Sequence, residues 1–180
     1  MKRPASDPTV ALADALRPGQ SVELLKELHI LTREGRLNQD SRRKLKQVQH
    51  LVQFIEREMR EGFAPEAPIT LADHGAGKSY LGFMLYDLLL AQRPGHVYGI
   101  ETRAELVERS RQLACRLGFA RMSFLNLSVA EATDAAQLPP RIDIVTALHA
   151  CDTATDDAID FGLRKQAASM VLVPCCQAEV

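Results

Sequence analysis

The sequence predicts a doubly wound, mostly parallel α/β sheet of Rossmann-like type, preceded by a helical segment. From residue 67 onward, short apolar runs alternate with stretches of helical spacing in the order β-α-β-α-β-α-β-α-β. Residues 1–66 contain no β-like run. The chain has 180 residues, 46% of them hydrophobic, which is enough for one core and an appendage. We therefore expect an N-terminal helical segment, 1–66, and a sheet domain, 67–180.

The helical segment is predicted from apolar residues at three-to-four spacing, around 22–28 and again around 45–55. Between these runs lies a basic segment, residues 33–46, with a net charge of +4. Its basic residues are Arg33, Arg36, Arg42, Arg43, Lys44 and Lys46. Two interpretations stay open: a solvated helix face, and a surface that contacts the phosphates of RNA.

The elements of the sheet domain follow from periodicity and from turn residues. The predicted strands are 69–72, 96–100, 122–127, 142–148 and 170–173. The predicted helices are 80–92, 103–117, and one that begins in the polar stretch 152–157 and ends near 168. Gly118 is a natural C-cap for the second of these helices. Ligands of such sheets bind at the carboxyl ends of the strands, where the strand order reverses.

A glycine-rich turn follows the first strand and admits two ligand-binding interpretations. Residues 72–79 read as a relaxed P-loop that ends in Lys78 and Ser79, which favours a nucleotide hydrolase. However, Asp73 would then lie close to phosphates of the same charge. A ligand with cationic groups suits an acid at this position better, while the following helix N-terminus receives a carboxylate. A tight turn without any ligand is a third interpretation.

An acid also ends the second strand. Glu101 lies 28 residues beyond Asp73 and is placed to accept hydrogen bonds from both hydroxyls of a ribose, as in nicotinamide cofactor sites. Alternatively, it stabilises the N-terminus of the helix near Arg103. The third strand ends in Asn126 and Leu127, a position where Asn also starts turns.

Together these residues resemble the class I S-adenosylmethionine-dependent methyltransferases over roughly residues 67–176. The strand ends LHACDTATD, from Leu148, and PCCQ, from Pro174, resemble one branch of that superfamily, the methyltransferase-domain proteins. The resemblance implies a methyltransferase with S-adenosylmethionine as cofactor. It implies cofactor contacts from Asp73, His74, Gly75, Gly77, Glu101, Thr102, Asn126, Leu127, Leu148 and His149. A non-catalytic S-adenosylmethionine-binding module is the remaining alternative.

Two departures from the superfamily pattern matter. The fourth strand ends in Leu148-His149-Ala150-Cys151-Asp152 instead of the Asn/Asp-Pro-Pro-Tyr/Phe motif, which disfavours methylation of amino nitrogens on bases. The chain stops shortly after the fifth strand. We therefore expect a truncated domain that lacks the last two strands, and an exposed sheet edge through which the chain self-associates.

Candidate catalytic residues are His149 and Asp152, which follow the fourth strand; a backbone-bonded histidine and a helix N-cap are the alternatives. Methyl transfer depends largely on positioning, so no catalytic base is required. A zinc site can be drawn from Cys151, Cys175, Cys176 and His149. We predict no metal, because no Cys-x-x-Cys motif is present and buried thiols explain the same residues.

Composition limits partners and location. The formal net charge is −1, so any contact with RNA must come from a local patch such as residues 33–46. The apolar stretches are too short to cross a bilayer, and the N-terminus lacks the apolar core of a signal peptide. Four cysteines fit a reducing compartment. We expect a cytoplasmic protein with no membrane partner.

Overall fold

The computed structural model describes residues 15–148 and 153–173. The strands are β1 (Ile69–His74), β2 (Gly95–Glu101), β3 (Met122–Asn126), β4 (Ile144–Leu148) and β5 (Ser169–Val173). The α-helices are α1 (Val22–Glu27), α2 (Gln39–Gly62), α3 (Tyr80–Leu85), α4 (Ala104–Arg116), α5 (Val129–Asp134) and α6 (Thr153–Arg164). This arrangement confirms the predicted α/β class and the N-terminal helices.

The five strands form one parallel sheet in the order β3-β2-β1-β4-β5. The chain winds outward from β1 to β3 and then crosses to β4 on the other side of β1, so the strand order reverses between β1 and β4. The register places Asp73 beside Gly99 and Thr146, and Glu101 beside Asn126. The residues predicted to bind a ligand therefore meet at one edge of the sheet.

Helices cover both faces of the sheet. On one face, α1 to α4 share a continuous core with β1 and β2, which includes Leu24, Val52, Leu71 and Phe83. The apolar spacing around 45–55 predicted the helix, and these residues form the buried face of α2 together with Met59. On the other face, Phe161 of α6 packs with Ala72, Ile100 and Val145. The N-terminal helices thus lie against the same strands that carry the candidate site.

Two local features differ from the sequence prediction. The helix predicted for residues 80–92 is α-helical only to Leu85 and continues as a π-helical turn, Tyr86–Leu90. The short helix α5 had no predicted bounds, although Ser128 and Glu131 form a capping box that the sequence contains. A helix of six residues is too short to show the apolar periodicity from which the longer helices were predicted.

Within the described sheet, β3 and β5 are the edge strands. Arg111 donates from Nε and Nη2 to the carbonyl oxygen of Phe124, which covers part of the β3 edge. All five residues of β5 are partly exposed. Self-association through a sheet edge stays a prediction. In the part of the chain that the structure describes, no helix is both long and apolar enough to span a membrane.

Candidate functional site

The turn after β1 carries three residues in the left-handed backbone region: Gly75 at φ 58°, Gly77 at φ 56° and Ser79 at φ 52°. Glycine adopts this conformation without steric cost, whereas Ser79 requires compensating contacts. Ser79 is completely buried, and its hydroxyl donates to Oδ2 of Asp73 at 3.2 Å. The turn is thus held in a shape that exposes the backbone around Gly75.

Asp73, at the end of β1, is 2% exposed and fixes this turn to the sheet. Its carboxylate accepts from Thr146 Oγ1 at 2.9 Å, from Ser79 Oγ and from the Gly82 amide at 3.2 Å. Burial raises the pKa of Asp73 to about 6, against the opposing effect of the three hydrogen bonds. The structure therefore gives Asp73 partners within its own chain, and a contact with cofactor cations stays a prediction.

His74 follows Asp73 and points to the opposite face, where it is 1% exposed. Its ring lies edge-to-face on Phe161 with 4.2 Å between the centroids. Among the described residues, neither ring nitrogen has a hydrogen-bond partner. Burial lowers the pKa of His74 to about 4, so the ring is neutral at pH 7. Native proteins pair most buried polar groups, and a contact between His74 and the cofactor stays a prediction.

Glu101, at the end of β2, is 6% exposed and carries the shortest link to the turn. Its Oε2 accepts from the Gly77 amide at 2.7 Å. Its Oε1 accepts from the Arg103 amide and from Arg103 Nε, each at 3.0 Å. Burial alone would raise the pKa of Glu101, but the bonds from Arg103 and Gly77 outweigh it and lower the pKa to about 2. Glu101 is thus a fixed, ionised acceptor beside the turn.

Sequence reasoning missed Arg103 as a site residue and used it only as a helix start. Its guanidinium forms the ion pair with Glu101, and Nη2 lies 3.6 Å from the point where a Cβ on Gly77 would be. The signal was present in the sequence, because a basic residue two positions after a strand-end acid can fold back onto it. The Arg103 side chain is still 59% exposed.

The remaining predicted residues join the same edge. Asn126 donates from Nδ2 to the carbonyl oxygens of Glu101 and Thr102, at 3.1 and 2.7 Å, which ties the ends of β2 and β3 together. Leu127 and Leu148 are partly buried at the ends of β3 and β4. His149, Asp152, Cys151, Cys175 and Cys176 lie outside the described residues. No cluster of metal-binding side chains occurs within 15–148 and 153–173.

The geometry of Ser79 argues against the P-loop alternative. A P-loop serine turns its hydroxyl to a phosphate-bound Mg²⁺, whereas the Ser79 hydroxyl is buried and bonded to Asp73. Lys78, in contrast, is exposed and has no ion-pair partner among the described residues. The turn therefore does not present the Lys-Ser pair that phosphate transfer requires.

Comparison with known proteins identifies the family of this chain. A family described as a methyltransferase domain matches residues 43–180. A glutathione S-transferase C-terminal domain-containing protein of Bos taurus is 28% identical over 145 residues, which is 80% of this chain and 20% of that protein. The chain therefore spans a fifth of the length of this curated relative.

Solved methyltransferases share the fold. Magnesium protoporphyrin IX methyltransferase from Synechocystis PCC 6803, determined with S-adenosylmethionine bound, is 18% identical with a TM-score of 0.51 over 95% of this chain and 77% of its own. Precorrin-6y C5,15-methyltransferase from Geobacter metallireducens GS-15 is 16% identical with a TM-score of 0.50 over 69% and 60%. At these identities the likeness shows the fold alone.

Proposed function

The chain belongs to the methyltransferase-domain family. From this premise we propose that it is a class I S-adenosylmethionine-dependent methyltransferase, which binds the cofactor at the carboxyl edge of its sheet and transfers the methyl group. One observation carries the proposal. Glu101 is an ionised, nearly buried carboxylate that is hydrogen-bonded to the glycine-rich turn, one strand away from the point where the strand order reverses. An adenosine ligand needs such an acceptor for its ribose hydroxyls.

The residues at this edge fit an adenosine cofactor in composition. Glu101 accepts from the ribose, Asn126 and Leu127 lie where the base would stack and bond, and Gly75 and Gly77 let a ligand approach the backbone. Thr102 and Leu148, which the sequence also predicts as cofactor contacts, lie at the ends of β2 and β4. When bound, S-adenosylmethionine supplies a sulfonium methyl group for in-line displacement. The protein then needs chiefly to hold cofactor and acceptor in line.

Asp73 and His74 act at the strand switch point in different ways. Asp73 is a positioning residue, because its three hydrogen bonds hold the turn, α3 and β4 in register. The His74 ring is neutral at pH 7, and its nitrogens have no hydrogen-bond partner within residues 15–148 and 153–173. One of these nitrogens can accept a hydrogen bond or a proton from the group that is methylated. His149 and Asp152 follow β4 directly and are proposed as further contacts to cofactor or acceptor.

We propose RNA as the class of methyl acceptor. The basic segment 33–46 is exposed at each of its basic residues, and among them only Arg43 lies within 4 Å of an acid in the described chain, at 3.8 Å from Asp40. Unpaired cations on a surface attract phosphates by counterion release, which requires no global positive charge. This patch leads into α2, whose buried face packs on the site-bearing domain.

Radiolabelled methyl transfer tests the proposal. The 180-residue chain is incubated with S-adenosylmethionine labelled in the methyl group and with RNA, protein and small-molecule fractions in separate reactions. We expect label in RNA, and loss of that label for Glu101→Gln. Label in the protein fraction alone would overturn the choice of RNA. Absence of label in every fraction, together with absence of S-adenosylhomocysteine binding, would overturn the proposed activity.

A further inference from the structure

A cleft of about 220 Å³ lies between α1, the glycine-rich turn and α4. Its walls are partly apolar and include Leu28, Leu106 and Leu113. Its polar lining comes from Glu27, His29, Lys78, Arg109, Ser110, Gln112 and Arg116. The cleft therefore connects the face of α4 with Lys78, which directly follows Gly77 of the proposed cofactor turn.

The charges in this cleft are unbalanced. Lys78 and Arg109 are exposed, and in the described part of the chain neither has a carboxylate within 4 Å. Glu27 is the acid among the lining residues, and it pairs with Arg116 at 2.9 Å. Two cations are thus left to meet an anion from outside, in a concave site where field lines are focused.

A second cleft adjoins the first. It shares Glu27 and His29 with the first cleft and reaches Asn38 and Ser41, at the start of α2. Its charged lining also includes Glu23 and Lys26, which pair with each other at 3.0 Å, and Arg33, which has no acid within 4 Å in the described part of the chain. Arg33, the first residue of the basic segment 33–46, lines this second cleft. The two clefts meet at Glu27 and His29, and we call them together the α1 trough, which reaches from the glycine-rich turn to the start of the basic segment.

We propose that the α1 trough binds the sugar–phosphate backbone of single-stranded RNA, with Lys78 and Arg109 contacting phosphates at its end nearest the methyl donor. The proposal rests on the proposed function, since it places the RNA acceptor beside the cofactor turn. Among the described residues, Lys78 and Arg109 at one end and Arg33 at the other have no acid within 4 Å, while the acids between them are paired with Lys26 and Arg116. Cations separated along a concave surface match the regular negative charge of a strand better than the irregular charge of an acidic protein. Such contacts position the strand without reading its sequence.

Fluorescence anisotropy tests the trough with a labelled single-stranded oligoribonucleotide of mixed sequence, titrated at several salt concentrations. The test variant is Lys78→Glu/Arg109→Glu. The matched control is Arg57→Glu/Arg60→Glu, which makes the same change in net charge on the C-terminal half of α2, outside both clefts. Circular dichroism and thermal unfolding confirm that both variants are folded.

For a single strand, each lost phosphate contact removes roughly 0.7 from the slope of log K against log salt concentration, so the test variant should lose about 1.4. The control should keep the slope of the unsubstituted chain. Equal slopes for test and control would overturn the trough, and so would tighter binding of poly-glutamate than of RNA. Binding of S-adenosylhomocysteine to the unsubstituted chain, measured separately, decides the proposed cofactor site whatever the RNA result.

Discussion

The guanidinium of Arg103 lies across both carboxylate oxygens of Glu101, with Nε 3.0 Å from Oε1 and Nη2 3.1 Å from Oε2. These are the oxygens that the proposed function assigns to the ribose hydroxyls. The carboxylate is buried and fixed by Gly77, whereas the guanidinium is 59% exposed. Arg103 is therefore the partner that must move when a ribose binds.

Removal of this competitor should strengthen cofactor binding. We expect Arg103→Ala to increase the affinity for S-adenosylhomocysteine by up to about fivefold, because an ion pair whose guanidinium is open to solvent is screened and contributes roughly 0–1 kcal/mol. Isothermal titration calorimetry measures the change. Arg164→Ala is the matched control, since Arg164 is similarly exposed and pairs with Asp160 at 2.8 Å, away from the site. Weaker binding by Arg103→Ala would show instead that the guanidinium contacts the cofactor.

Asp73 should make stability fall as pH rises. Its pKa is about 6 in the folded chain and near 3.8 in the unfolded chain, so the folded state binds more protons between these values. The full difference corresponds to about 3 kcal/mol as an upper bound. In Asp73→Asn this contribution disappears, and the opposite contribution of His74 remains. We therefore expect the free energy of unfolding of this variant to rise from pH 4 to pH 6.5, as measured by urea titrations. An unchanged pH dependence would contradict the raised pKa of Asp73.

His74 should act with the opposite sign over nearly the same interval. Its pKa is about 4 in the folded chain and near 6.5 in the unfolded chain, so the unfolded state binds more protons and stability is lost as pH falls from 6.5 to 4. In His74→Leu the free energy of unfolding should instead fall as pH rises from 4 to 6, through Asp73. Urea titrations at these pH values test this. In the unsubstituted chain the contributions of Asp73 and His74 to the pH dependence largely cancel. A free energy of unfolding that rises with pH in His74→Leu would contradict the pKa values given for the two residues.

Gly99 should tolerate no side chain. A Cβ at this position would lie 2.5 Å from Cδ1 of Phe124, a buried ring of the core. We expect Gly99→Ala to lower the free energy of unfolding by about 1–3 kcal/mol through overpacking. Gly62→Ala is the matched control, because a Cβ there would meet no atom within 4 Å. Equal stability of the two variants in thermal unfolding would contradict the close packing of β2 and β3.

The fold could be predicted because its main determinants are local. Each predicted strand overlaps an observed one, and the start of β1 at Ile69 and that of β3 at Met122 agree with the prediction. Gly118 stands after α4 with φ 69°, as its predicted C-cap role requires. Apolar period and capping residues act over a few positions, so a single sequence contains them.

For the site, the sequence predicted where the residues stand in the chain but not which groups they contact. The sequence placed Asp73 and Glu101 at the correct strand ends, but not the partners that decide their charge. Thr146 lies 73 residues from Asp73 in the chain, and the strand register brings them together. The pKa of Glu101 depends on how the Arg103 side chain folds back, which spacing alone does not show. Burial and long-range pairing are properties of the assembled sheet.

The most direct test is a calorimetric titration of the chain and of Glu101→Gln with S-adenosylhomocysteine. Hydrogen bonds to a charged group contribute about 1.5–3 kcal/mol, so we expect one-to-one binding by the chain and an affinity about ten- to hundredfold lower for Glu101→Gln. Glu108→Gln, an exposed change on α4, should bind like the unsubstituted chain. Equal affinities for folded Glu101→Gln and the unsubstituted chain, or no binding by the latter, would contradict a cofactor site at the end of β2.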